Sequence, residues 1–287
     1  MNLLLKQLKL ENVSDAIKII NSAGLIYPYP INFNFFTFFR HVKAYNISFQ
    51  HSFIGYRGGK AIGAVLNCGN TKEQDLYTYV WAISPELSGT RTVTDLTRFA
   101  LDHIKKRKFK RVICEIVRES DHALWQKLGF RKTRELHSLR LNTYQGDATS
   151  VQLRPCELAD IEPILENFRA TEPPWVKRCA QLHSYQDELK KFLLLDGDQT
   201  VGYILLNETE TTAIITELRY PSERIELGRA ALAHISEMVK GKPLFCFYVP
   251  AEDNLFEFYR TCGFETFMVH DELQLVFELN DKTTPAN

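Results

Sequence analysis

At 287 residues, with 45% hydrophobic and 24% charged side chains, the chain is neither a disordered polymer nor a fibrous repeat, and it has apolar material for two ordinary domains. Its formal charge of zero hides a split: residues 1–145 hold 22 Lys+Arg against 11 Asp+Glu, and the remainder holds 13 against 24. No apolar run reaches the roughly 20 residues of a bilayer span, and six cysteines without a CxxC pair speak against a metal site or a disulfide framework.

The opening MNLLLKQLKL breaks at Lys6, too early for a secretory core, so a cytoplasmic protein is expected. In the first half, strands are predicted near 3–10, 47–56, 61–68, 76–84, 110–117 and 134–142, with helices near 14–22, 31–44, 89–107 and 121–128. The stretch YPYPINFNFFTFF (27–39) packs seven aromatics into 13 residues. KKRKFKR (105–111) falls at the C-terminus of the long helix, where cations complement the dipole, so it is read as a solvated helix end rather than a nucleic-acid contact.

The helix near 121–128 ends in WQKLGF, and a second copy of this ending, YRTCGF, stands at 259–264. Each has a large aromatic four residues before a glycine, as expected of a left-handed C-terminal cap followed by a strand. Other segments repeat in the same order. QLKLENVSDA (7–16) matches QLRPCELADI (152–161), GGKAIGAVLN (58–67) matches GDQTVGYILLN (197–207), and RVICEIV (111–117) matches PLFCFYV (243–249). The period is too long for a solenoid, so the chain reads as a duplicated α/β domain with a mixed sheet. The boundaries expected are 1–142 and 151–280, with 143–150 as linker and 281–287 as a frayed tail.

This order, the aromatic-x-x-x-Gly-Phe ending, and a strand running into Pro just before a long helix resemble the GNAT superfamily of N-acetyltransferases, in two tandem copies covering nearly the whole chain. The resemblance implies acetyl-CoA (or another acyl-CoA) as cosubstrate, no metal, and an amine of a small molecule or peptide as acceptor. It further implies acyl transfer in a ternary complex, by a monomer or homodimer without nucleic-acid or membrane partners. It also implies a phosphate loop at the start of the long helix, where backbone N–H groups and the dipole face the pyrophosphate.

In the first copy the matching stretch is ISPELSGTRTVTDL (83–96), which makes Ile83, Ser88, Gly89, Thr90, Arg91 and Thr92 the cofactor-binding candidates; a helix start with Ser/Thr caps is the plainer reading. In the second copy only Gly228, with Arg229 beside it, aligns with the loop, and Glu223 and Glu226 are unfavourable near phosphates. Tyr259 occupies the family position that faces the departing thiolate, where Trp125 in the first copy has only an indole N–H and cannot shuttle a proton. Glu217 is the candidate general base. An apolar or aromatic acceptor near 27–39 competes with plain core packing. The rival to an enzyme is a degenerate, non-catalytic pair that binds CoA or a protein partner.

Overall fold

The computed structural model describes residues 3–23, 32–70, 74–87, 90–107, 109–117, 122–146, 151–169 and 171–277. The chain divides into two units, Met1–Thr133 with Asp271–Asn287, and Arg134–His270.

In the first unit, β1 (Leu3–Gln7), β2 (Phe53–Arg57), β3 (Lys60–Asn70) and β4 (Asp75–Ile83) form an antiparallel run. β4 then pairs in parallel with β5 (Arg111–Val117). Helices α1 (Val13–Ser22), α2 (Phe35–Ala44), α3 (Arg91–Lys105) and α4 (His122–Lys127) surround this sheet. Val93, Leu96, Ala100 and Ile104 repeat at helical spacing, and this face of α3 is buried with Val65, Leu76, Trp81 and Val112. Burying Leu96 alone is worth about 1.5–3 kcal/mol.

β1 ends before the expected residue 10, because the Asn12 side chain accepts from Lys9 N (2.7 Å) and closes a 3-10 turn. β2 starts later than the expected 47. Ser52 Oγ donates to Ser48 O (2.7 Å) and Asn67 Nδ2 donates to His51 O, which holds Phe49–His51 in another turn. α2 starts at Phe35 because Asn34 caps it, accepting from Thr37 N at 2.9 Å. The basic run is interrupted by Phe109, buried in the core, and its last residue, Arg111, makes a two-pronged bond to Asp75 at 2.6 and 2.7 Å. Residues 24–31, which include Tyr27 and Tyr29 of the aromatic stretch, lie outside the described residues.

The second unit repeats the plan with β7 (Gln152–Pro155), β8 (Lys190–Asp196), β9 (Gln199–Glu208) and β10 (Ala213–Arg219) antiparallel, and β11 (Leu244–Pro250) parallel to β10. Helices α7 (Ile225–Met238) and α8 (Asn254–Thr261) correspond to α3 and α4. Where the first unit has α1 and α2, the second has α5 (Leu158–Ile161), α6 (Cys179–Ser184) and short 3-10 turns, since Pro163, Pro173 and Pro174 forbid a long helix.

The strand that closes each repeat in sequence is exchanged. β6 (Arg131–Leu141) crosses into the second unit after Thr133 and pairs with β11 through Leu136–Leu141. β12 (Glu265–Val276) crosses into the first unit after His270, next to β5, where Leu273 joins the core. The expected boundaries follow the sequence repeat, whereas the compact units divide inside these two strands. A strand after a turn can complete either open sheet edge, and contiguity in sequence does not choose between them. By unit, the charges become 21 Lys+Arg against 14 Asp+Glu in the first and 14 against 21 in the second. Residues 147–150 of the expected linker and the tail 281–287 lie outside the described residues.

The Gly-Phe endings have one physical explanation. Gly129 and Gly263 have φ of +90° and +88°. Phe130 N bonds Trp125 O and Phe264 N bonds Tyr259 O, each at 3.0 Å. Gly129 N bonds Gln126 O and Gly263 N bonds Arg260 O, also at 3.0 Å. This is a Schellman cap, and its customary apolar contact is made by the motif's own aromatics: Trp125 with Phe130 at 5.1 Å, Tyr259 with Phe264 at 4.9 Å.

Candidate active site

In each unit the strand before the long helix carries an extra residue. Leu66 faces Val80 while Asn67 faces Thr78, so Tyr79 is a bulge in β4. Ile215 faces Leu206 while Glu217 faces Leu205, so Thr216 is a bulge in β10. A bulge bends its strand and re-aims the side chains beyond it. β4 accordingly pairs with β5 only from Asp75–Arg111 to Thr78–Cys114, and β10 with β11 only at Ala213–Leu244 and Ile214–Phe245. Past those points the strands part and leave a wedge at their C-terminal ends, where ligands of open α/β sheets bind.

In the first unit β4 leads from the wedge into a 3-10 turn, Pro85–Leu87, and then into α3. Ser84 Oγ and Lys60 Nζ both donate to Glu86 Oε1, at 3.0 and 2.9 Å, and fix that turn. Thr90 is the N-cap residue, but its hydroxyl bends back to Leu87 O (2.7 Å) and does not cap the helix. The Arg91 side chain is 92% exposed and meets Asp95 at 3.6 Å. Arg57 reaches Thr92 Oγ1 at 3.4 Å and adds a second cation at the helix start. A helix N-terminus without a side-chain cap from Thr90, flanked by two guanidiniums, has the donors and the field that attract an anion. Ile83 is buried against α3, so a ligand could meet only its backbone. Ser88 and Gly89 lie outside the described residues. Trp125 is buried edge-on against Trp81 at 5.4 Å, a packing position.

The wedge of the second unit is filled with charge. Glu217 accepts from Arg169 at 3.1 and 2.7 Å and from Arg219 at 3.0 Å. Arg219 also binds Asp253 at 2.8 Å, and Asp253 caps α8 by accepting from Leu255 N. The Glu217, Arg169 and Asp253 side chains are each 1% exposed and Arg219 is 6%. Arg169 Nη2 further donates to the carbonyl of Lys177 (2.9 Å), whose side chain is also buried in this cluster. Burial lowers the Lys177 ammonium to about 8, although Glu217 opposes the shift. Burial would raise Glu217, but the two guanidiniums and Lys177 overcome it and hold the carboxylate at about 2.

These positions alter three expectations. Glu217 points inward, but a carboxylate held by two arginines is a poor proton acceptor, so a general-base role does not fit it. Tyr259 is buried, and its hydroxyl is pushed well above the usual tyrosine range by burial and by the Cys246 thiol it meets; it is a weaker acid toward a thiolate than free tyrosine. Gly228 is buried in the first turn of α7, where a Cβ would come within 2.4 Å of the Tyr220 ring. It makes room for an aromatic side chain, and Glu226 and Arg224 bond each other at that helix start (3.0 Å), with Arg224 also on Asp196. Arg229 is exposed and lies beside Cys262. Arg57, Arg169, Lys177 and Asp253 escaped the sequence reading because no local pattern marks them; only Arg57, before the Gly58-Gly59 turn, had a neighbouring signal.

Neither a family model nor a curated protein matches the chain by sequence. The fold does match solved structures. A GCN5-related N-acetyltransferase from Sphaerobacter thermophilus superposes with a TM-score of 0.71 at 13% identity, covering 96% of this chain and 95% of that one. A tandem GNAT protein from the clavulanic acid biosynthesis pathway gives 0.68 at 10% identity, over 96% and 98%. A putative acetyltransferase from Pyrococcus horikoshii gives 0.65 at 12%, over 98% and 91%. The chain therefore has the mixed α/β fold of a tandem GNAT protein, as the repeated Gly-Phe endings led us to expect. No described helix is long and apolar enough to cross a membrane.

Proposed function

We propose that the protein is an acetyl-CoA-dependent N-acetyltransferase of a small-molecule amine and that the first unit is its working copy. One observation carries this reading: the unit whose wedge, among the described residues, is not filled by buried ion pairs is also the unit whose long helix starts between two guanidiniums with no carboxylate in its first turn, where α7 has Glu226. Arg91, Arg57 and the first-turn N–H groups of α3 take the pyrophosphate. The edge of β4 past the bulge, no longer paired with β5, offers backbone N–H and C=O groups to the extended amides of the pantetheine arm. The second unit serves as a closed copy that takes in β6 and receives no cosubstrate.

Calorimetric titration with acetyl-CoA tests the reading. Arg91→Glu abolishes binding, whereas Tyr259→Phe leaves it within about twofold, the scatter of a lost hydrogen bond remote from the ligand. Loss of binding with Tyr259→Phe and retention with Arg91→Glu would move the site to the second unit. Binding of acetyl-CoA with no thiol release across an amine panel would favour the non-catalytic, CoA-binding pair.

A further inference from the structure

Tyr79, the extra residue of β4, stands where β4 leaves β5, and its hydroxyl lies 2.8 Å from His41 Nδ1. Tyr45, the residue that ends α2 one turn beyond His41, stacks on the Tyr79 ring at 4.5 Å and 26° and on the imidazole at 5.5 Å and 25°. Phe33 meets the imidazole at 5.0 Å. His41, Tyr45 and Tyr79 are all only partly buried. The described residues of the second unit differ: its bulge residue is Thr216, and the region before β8 delivers Arg169 and Lys177. Packing alone would be served by apolar rings. A hydroxyl bonded to an imidazole at the mouth of the wedge is a proton path, and tyrosine faces beside it attract a cation and a flat body.

We propose that Tyr79 is the acid–base residue of the first unit, positioned by His41, and that the acceptor is a primary amine carried on a planar apolar body that stacks on Tyr45. This rests on acetyl transfer being the reaction of the first unit. The acceptor arrives as an ammonium. Tyr79 Oη takes one of its protons while the phenolic proton passes to His41 Nδ1. The freed lone pair bonds the thioester carbonyl carbon, and the C–S bond breaks with its electron pair leaving on the CoA sulfur. The amide nitrogen then loses a further proton, which balances the one the thiolate takes up. His41 must begin unprotonated at Nδ1, so the rate falls on the acid side as the imidazole charges. The charged groups on the elements around it are Asp15 and Lys18 on α1, Arg40 and Lys43 on α2, Asp75 on β4 and Arg111 and Glu115 on β5; Arg111 binds Asp75, and Tyr77 engages Glu115 at 3.0 Å.

The test uses the full chain with tryptamine as the planar probe, 1,4-diaminobutane as the open-chain control, and thiol release from acetyl-CoA as readout. Tryptamine should exceed diaminobutane about tenfold in kcat/KM, the effect of one good ring–ring contact with Tyr45. Tyr79→Phe and His41→Gln should each lower kcat by about 10²- to 10³-fold, with acetyl-CoA affinity unchanged. In His41→Gln the acid limb of the pH profile should vanish, which a merely structural role would not produce. Wild-type kcat in either variant, an acid limb that survives in His41→Gln, or equal use of diaminobutane overturns the proposal. If the chain binds acetyl-CoA but acetylates neither probe, calorimetry with tryptamine decides. Binding lost in Tyr45→Ala upholds the stacking site and removes the transfer reaction, and no binding removes both.

Discussion

The two wedges come from the same device, a bulge one strand before the long helix, and end as opposites. In the first unit the bulge residue is Tyr79, half-exposed and bonded to a histidine. In the second the adjoining Glu217 is sealed under two arginines. The difference originates in the segment that precedes each sheet. Asn34 caps a ten-residue helix that presents His41 and Tyr45 in the first unit. Pro173 and Pro174 break the helix in the second and leave a 3-10 turn, Trp175–Lys177, that delivers a buried cation. A duplicated scaffold thus diverges through which segment covers the wedge, while sheet and caps stay alike.

The largest expected effect separates the two wedges by stability. Glu217→Ala takes the buried carboxylate from Arg169 and leaves Arg219 with Asp253 alone, and should cost about 3–5 kcal/mol, the penalty of a broken buried pair. Tyr79→Phe in the first unit should stay within about 1 kcal/mol, the worth of one half-exposed hydrogen bond. Urea unfolding of both variants measures the contrast, and similar losses would mean that the two wedges are equally structural.

The alkaline limb sharpens the same comparison. Lys177 titrates near 8 in the folded chain against 10.5 unfolded, so between those values the unfolded state binds more protons. Stability should therefore rise with pH across that window, by on the order of 3 kcal/mol if the full shift is realised. Lys177→Met should flatten that rise in urea titrations at pH 8 and pH 10. A wild-type curve already flat there would show that the Lys177 ammonium is not held in the second wedge.

How far the sequence was legible follows from these residues. The fold was readable because the Schellman cap needs glycine at φ near +90° and an aromatic pair around it, a purely local requirement that recurs at 125–130 and 259–264. The bulges were not, because one extra residue in a strand leaves the alternation on either side intact and shows itself only in pairing. Nor was the fate of Glu217: Arg219 stands two residues on, but Arg169 lies 48 residues before it, and Asp253, which holds Arg219 in place, lies 36 after it. The strand exchange was invisible for a similar reason: β6 and β12 have the patterns of closing strands, and nothing in those patterns names the sheet they close.

The smallest effect tests what the units share. Gly129→Ala and Gly263→Ala force a side chain into a left-handed cap, each costing on the order of 1 kcal/mol. The space beside them differs. A Cβ at Gly129 would press Leu275 at 3.3 Å, whereas at Gly263 the nearest atom, on Leu141, is at 3.6 Å, an ordinary contact. Leu275 is a side chain on the exchanged strand β12 and Leu141 one on β6, so each cap abuts the strand that closes its own unit. Equal losses within a few tenths of a kcal/mol in urea would mean that backbone conformation sets the cost and the caps are interchangeable. A larger loss at Gly129 would instead place part of it in the packing of β12, and Leu275→Ala in that background should then recover it.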